Sequence, residues 1–278
     1  MRDNEERFQV PDSGESVASH MDGNLNFATP TEFVELPSGG KLYPEGHPLH
    51  GKDTVEIRFM TAKEEDILTS KALIKKGVAI DRMLQSILID KNLKVEKLLL
   101  GDKNALTMAA RISGYGSEYE VQMVCPSCEA KVKHTFDLEE VGHVETKDLS
   151  ELGVEQTDRG TFVVSLVRSN VKVEVRLLTG ADEAQLLSEV SQTKSAKKEE
   201  NNSTSQLKRM IVSVNGETDR QVVNQFIHSM PAIDARFLRK ILKDVTPDVD
   251  MTQEFECSSC GHEEEVEIPF TVEFFWPK

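Results

Sequence analysis

All four cysteines of the chain stand in two short turns, Cys125-Pro126-Ser127-Cys128 and Cys257-Ser258-Ser259-Cys260. Each turn is flanked on both sides by strand-forming residues. Tyr119–Val124 and Lys131–Phe136 frame the first, and Thr252–Glu256 and Glu265–Phe270 frame the second. A strand, a tight turn with two thiols and a returning strand make a zinc knuckle. A closed Zn²⁺ site takes four ligands, so two knuckles supply one tetrahedral site from Cys125, Cys128, Cys257 and Cys260. The spacing departs from an ordinary zinc ribbon, whose knuckles lie about 15–20 residues apart. Here 128 residues separate Cys128 from Cys257. Either each knuckle acts alone, or the fold brings two distant hairpins together. His134 and His262 lie near the knuckles and are the candidates to complete two half-sites. A histidine so placed more often hydrogen-bonds a thiolate or faces solvent.

An internal repeat resolves the spacing. Val55-Glu56-Ile57-Arg58-Phe59-Met60-Thr61 matches Val173-Glu174-Val175-Arg176-Leu177-Leu178-Thr179 at an offset of 118. The helix start Thr61/Glu64 recurs as Thr179/Asp182, Ile67/Leu68 as Leu186/Leu187, and Arg82-Met83 as Arg209-Met210. The first cysteines of the two knuckles differ by 132. Such ordered self-similarity points to duplication. The expected fold is α+β, with two similar halves of strands, short helices and a C-x-x-C hairpin. Residues 31–140 form the first half and 141–278 the second. Packed about a pseudo-twofold, the halves set like against like and share one structural zinc per chain.

Composition narrows the function. The net charge is -15 over 278 residues, and 38% of them are hydrophobic. That balance repels a phosphate backbone and argues against nucleic acid as a partner. Lys131-Val132-Lys133-His134 is the small basic exception that keeps a zinc-ribbon nucleic-acid-binding regulator as the alternative. No apolar run is long enough for a membrane span. The first residues carry acids and no apolar stretch, so no secretory signal is expected. In a reducing compartment paired cysteines favour metal over disulfides.

Along the chain, residues 1–30 read as a disordered polar arm, either a plain tail or a segment that folds on a partner. Phe33–Leu36 is a strand, Pro37-Ser38-Gly39-Gly40 a turn, Lys41–Pro44 a return, and Thr54–Met60 an alternating strand. His47 and His50, in a loop rich in proline and glycine, read as surface residues rather than ligands. A helix with the Thr61/Glu64 capping box follows and stops at Gly77. Met83–Ile89 reads as a strand, and Val95–Leu100 and Ala105–Ile112 as short helices. Thr161–Val167 and Val171–Leu178 are strands, and residues 191–205 a flexible polar loop. Met210–Val214 is a strand ending at the Asn215-Gly216 turn, and helices fall near Arg220–His228 and Asp234–Lys243.

Catalytic motifs are absent: there is no G-x-G-x-x-G, Walker loop or G-x-S-x-G. A closed four-thiolate site has no open position for water. A thiol oxidoreductase needs a helix N-terminus beside its C-x-x-C, and both knuckles sit between strands. Leu36–Pro44, Val55–Thr61 with Glu64-Glu65-Asp66, and Arg111-Ile112-Ser113-Gly114-Tyr115-Gly116 leading to Cys125–Cys128 resemble the baseplate protein family of T4-type contractile-tailed phages. The resemblance implies a hub component or hub assembly factor rather than an enzyme. It would contact other baseplate or tail proteins and take no small-molecule substrate. It would reside in the virion tail, or in the host cytoplasm during assembly.

Overall fold

The computed structural model describes residues 29–144, 146–196, 202–268 and 272–275. Strand β1 (Thr31–Glu35) pairs antiparallel with β2 (Thr54–Arg58), setting Phe33 opposite Glu56 and Val34 opposite Val55. Period-2 alternation sends Val34, Val55 and Ile57 into the core. Lys41–Pro44 is not the returning strand: it lies in a chain of turns, and the return is β2. Gly40 explains the turns. Its φ is +70°, and a Cβ there would stand 2.2 Å from the Lys52 carbonyl oxygen.

Helices α1 (Ala62–Thr69) and α2 (Lys71–Lys76) divide at Ser70, and Gly77 at φ +69° ends the second. Residues Ala79–Ile87 form helix α3, not a strand. Met83, Leu84 and Ile87 share its buried face, and their spacing of one and three fits a 3.6-residue period. Only Leu88 is β-like, bridging Ile57. Val95–Lys97 is a single 3-10 turn. One long helix, α4 (Leu100–Tyr115), replaces the expected short one.

Hairpin β3 (Glu118–Val124) with β4 (Lys131–Asp137) carries the first knuckle. Then come β5 (Gly142–His143) and α5 (Leu149–Leu152), which is capped by Asp148. Strands β6 (Val154–Gln156), β7 (Phe162–Ser165), β8 (Lys172–Val175) and β9 (Ile211–Val214) form an antiparallel sheet in that order. Between β8 and β9 run α6 (Gly180–Ala196) and α7 (Asn202–Met210). Most of the expected flexible loop is therefore helical, and residues 197–201 lie outside the described residues. Asn215 and Gly216, at φ 51° and 85°, make the turn after β9. Helices α8 (Arg220–Ser229) and α9 (Ala232–Val245) lead to β10 (Val249–Asp250), paired with β5. Hairpin β11 (Thr252–Glu256) with β12 (Glu263–Glu267) carries the second knuckle. The expected arm up to residue 28 lies outside the described residues.

One continuous core runs through the molecule, from Val34 and Ile57 through Met83, Leu106 and Phe136 to Phe162, Val175, Ile211 and Leu238. Helix α4 is its axis and carries three buried charges. Asp102 accepts from Ser38 N–H and Oγ at 3.0 and 2.7 Å and from the Tyr43 hydroxyl at 2.6 Å. Lys103 lies 2.5 Å from both Asp81 and Glu183, joining α3 to α6. Arg111 donates to the carbonyls of Phe274, Gly116 and Glu118. Among the described residues no helix is long and apolar enough to cross a membrane.

Candidate metal centre

Each knuckle is built from its hairpin outward. After β3, Cys125 N–H donates to Ala130 C=O and Glu129 N–H returns to Cys125 C=O, both at 2.9 Å. After β11, Cys257 N–H donates to His262 C=O at 2.9 Å and Gly261 N–H to Cys257 C=O at 2.8 Å. Both turns close through a left-handed residue, Glu129 at φ 59° and Gly261 at φ 68°. The same folding of the backbone turns both thiols of each pair to one side.

The fold brings the two turns together. The four sulfurs lie within 4.8 Å of one another. The contacts are reciprocal: Cys125 Sγ is 3.8 Å from Cys260 Sγ, and Cys128 Sγ is 3.8 Å from Cys257 Sγ. A disulfide needs about 2.05 Å between sulfurs, so these are not disulfides. A tetrahedral ion with Zn–S bonds of about 2.3 Å sets its ligands about 3.8 Å apart. The donor set is therefore compatible with one metal ion. Cys125 and Cys257 are buried, while Cys128 and Cys260 face outward.

The thiols influence one another. The Cys128 and Ser127 N–H groups hold the Cys125 thiol below its usual range. Burial pushes Cys257 upward, yet the N–H groups of Ser259 and Cys260 outweigh it and draw the thiol down to about 7. The His262 N–H favours a Cys260 thiolate, but the surrounding sulfurs, Cys128 foremost, push that thiol up to about 12. Four thiols this close ionise together only beside a positive ion.

The hydrophobic support is small. Val132 and Phe255 pack with Cys125 and Cys257, and Met123, Ala130 and Val266 pack around them. Two-stranded hairpins are marginal alone. The second also sets Glu254 opposite Glu265 and Glu256 opposite Glu263, and like charges directly opposite destabilise a pair of strands.

The histidines stand apart from the sulfur cluster. His134 packs edge-on against Phe136 and Phe255, at 4.6 and 5.2 Å between ring centres. His262 Nε2 is 3.4 Å from Glu264. His47 stacks on Tyr43 and accepts from Leu49 N–H, while His50 Nδ1 meets Tyr43 C=O at 2.7 Å.

Outside the cysteines, two polar constellations occur in pairs. Glu64 binds both guanidinium nitrogens of Arg58 and the N–H and Oγ1 of Thr61. Asp182 does the same with Arg176 and Thr179. Asp102 holds Ser38, and Asp234, 132 residues later, accepts from the N–H groups of Arg168 and Ser169 at 2.8 and 2.9 Å. Sequence reading found the first pair through the capping box and missed the second. Its one sequence signal is that Asp102 and Asp234 share the offset of the cysteines.

The pattern of the T4 bacteriophage base plate protein family matches residues 29–276. The chain belongs to that family. The match spans both knuckles and every element above, and it supports a structural role in the phage tail baseplate. No curated protein and no solved structure matches the chain.

Proposed function

We propose that this base plate family member is a hub component or hub assembly factor that acts through protein–protein contacts, with one structural Zn²⁺ joining two duplicated halves. The family match over residues 29–276 carries the baseplate reading. The zinc reading is supported by four sulfurs within 4.8 Å of one another, with two pairs at 3.8 Å, the edge length of a tetrahedral site. Cys125, Cys128, Cys257 and Cys260 hold the ion, whose closed coordination leaves it structural. Bound there, the metal locks together two hairpins separated by 128 residues.

Support for duplication comes from recurrence in three dimensions. β1–β2 and β7–β8 share a register, with Phe33 opposite Glu56 as Val163 is opposite Glu174. The two carboxylate constellations and the knuckles follow in the same order. Arg82-Met83 and Arg209-Met210 are not the matching positions. Ile57 faces Leu88 and Val175 faces Ile211, so Leu88 corresponds to Ile211. The like-to-like packing is local to the knuckles. Elsewhere unlike segments meet, as where Leu99 bridges Thr179.

Probing of purified virions and of sedimented tail intermediates tests the role. A hub component co-purifies with finished tails, and an assembly factor appears on baseplate intermediates in the host cytoplasm and leaves them. Absence from both, together with tight, salt-sensitive nucleic-acid binding in a gel shift, would replace the baseplate reading with the regulatory one.

A further inference from the structure

The two matching sheets differ at one edge. In the second, β7 has a neighbour on each side: β8 on one, and on the other β6, with Glu155 opposite Val163. That neighbour comes from the chain just ahead of β7, joined through the turn Thr157–Thr161, whose ends are tied by the Thr157 N–H to Thr161 C=O bond of 2.8 Å. In the first sheet β1 pairs with β2 alone among the described residues. Leu36 N–H bonds Asp53 C=O and Pro30 C=O accepts from Phe59 N–H, so even-numbered residues of β1 face β2. By the period of two, Thr31, Phe33 and Glu35 point their N–H and C=O groups away from it. Between Thr31 and Glu35 the edge has no lysine, proline or bulge, and its charges are Glu32 and Glu35 alone. Phe33 sits on it 70% exposed, where its counterpart Val163 is only half-buried. Beside Phe33 a groove of about 430 Å³ runs over β2 to Ile89, lined also by Leu49 and Leu93.

We propose that the free edge of β1 is a strand-docking site occupied by the chain's own N-terminal segment, as β6 occupies the edge of β7. The segment ends where this requires. Twenty-eight residues precede Thr29, which lies two positions before β1. Within them Asn24-Leu25-Asn26-Phe27 alternates polar and apolar residues, the pattern of a half-buried strand. The docked strand gives Phe33 and Glu35 their missing backbone partners and sets an apolar side chain beside the Phe33 ring.

Hydrogen exchange on the full chain and on a chain starting at Thr29 tests this. In the full chain the Phe33 and Glu35 amides exchange slowly. Without residues 1–28 they exchange at least tenfold faster, while the Val163 amide, paired to β6, is unchanged and reports an intact fold. Leu25→Asp combined with Phe27→Asp reproduces the acceleration in a chain of full length. Fast exchange at Phe33 and Glu35 in the full chain overturns the proposal, as does slow exchange that survives the truncation. Protection that disappears on dilution also overturns it, because the strand then comes from a second copy.

Discussion

Glu64 is fully buried, yet it is charged, because every side of its carboxylate is met by a donor. Burial raises its pKa, and the donors more than reverse this. The Arg58 guanidinium is foremost among them, then Ser86 and Thr61, and together they hold Glu64 down at about 2. Asp182 is likewise held below its ordinary value: burial opposes its charge, and Arg176 and Thr179 restore it. A carboxyl depressed in the folded state stabilises the protein fully above its unfolded value, and that contribution is lost as pH falls through the folded value. For Glu64 the window runs from 4.5 down to about 2. Stability should therefore drop across that window in acid unfolding experiments. Glu64→Gln should cost about 3 kcal/mol at neutral pH and flatten the drop. An unchanged acid profile in Glu64→Gln would show that the pair contributes little. Much of this was legible, since Thr61/Glu64 and Thr179/Asp182 have capping spacing. The partners Arg58 and Arg176 were in the repeat but had no assigned role. Asp102 gave no local signal, because its partners Ser38 and Tyr43 are 64 and 59 residues away.

At the scale of elements, legibility followed the strength of periodicity. β2, β3, β4, β8 and β11 alternate cleanly and were readable. α3 was misread because Met83–Ile89 is a short, mostly apolar stretch interrupted only by Gln85-Ser86, a pattern that a buried strand and a helix share. The expected loop over 191–205 has no apolar residue but Ala196, so nothing in its pattern signalled helix. α6 instead extends from a well-capped start. Helix α4 offers a test of close packing. Alanine in place of a helical glycine normally stabilises by up to about 1 kcal/mol. At Gly101 a Cβ would stand 2.0 Å from the Pro247 carbonyl oxygen, a backbone atom of the second half. Gly101→Ala should therefore destabilise by about 1–3 kcal/mol. Gly114→Ala meets only the flexible Met60 methyl and should stay near neutral. Urea unfolding of both variants checks the contrast, and equal effects would remove the interface role of Gly101. The hairpins differ in the same way. The two cross-strand glutamate pairs of β11–β12 make it the weaker. On chelation its amides should lose exchange protection before those of β3–β4. The reverse order would mean that cross-strand charge does not set their relative stability.

For the whole molecule, the sequence pointed to α+β architecture and to which cysteines meet, because each C-x-x-C hairpin is a local pattern and all four cysteines stand in two of them. It did not reveal that α4 would be the shared axis. That role depends on Lys103 reaching both Asp81 and Glu183, and on Arg111 binding the Phe274 carbonyl 163 residues away. These long-range contacts tie distant parts of the chain together away from the knuckles, so removal of the proposed metal should loosen the hairpins without dispersing the core. A melt of the chelated protein should retain a cooperative transition at lower temperature. Loss of all cooperativity would make the metal a condition of folding itself.

The most direct measurement is the zinc content of the purified chain, alone and with Cys257→Ser. One shared site predicts one zinc per chain, released by that single substitution, with faster amide exchange in the distant first hairpin as well as the second. Two zincs per chain, or metal fully retained after Cys257→Ser, would contradict a site built from both knuckles.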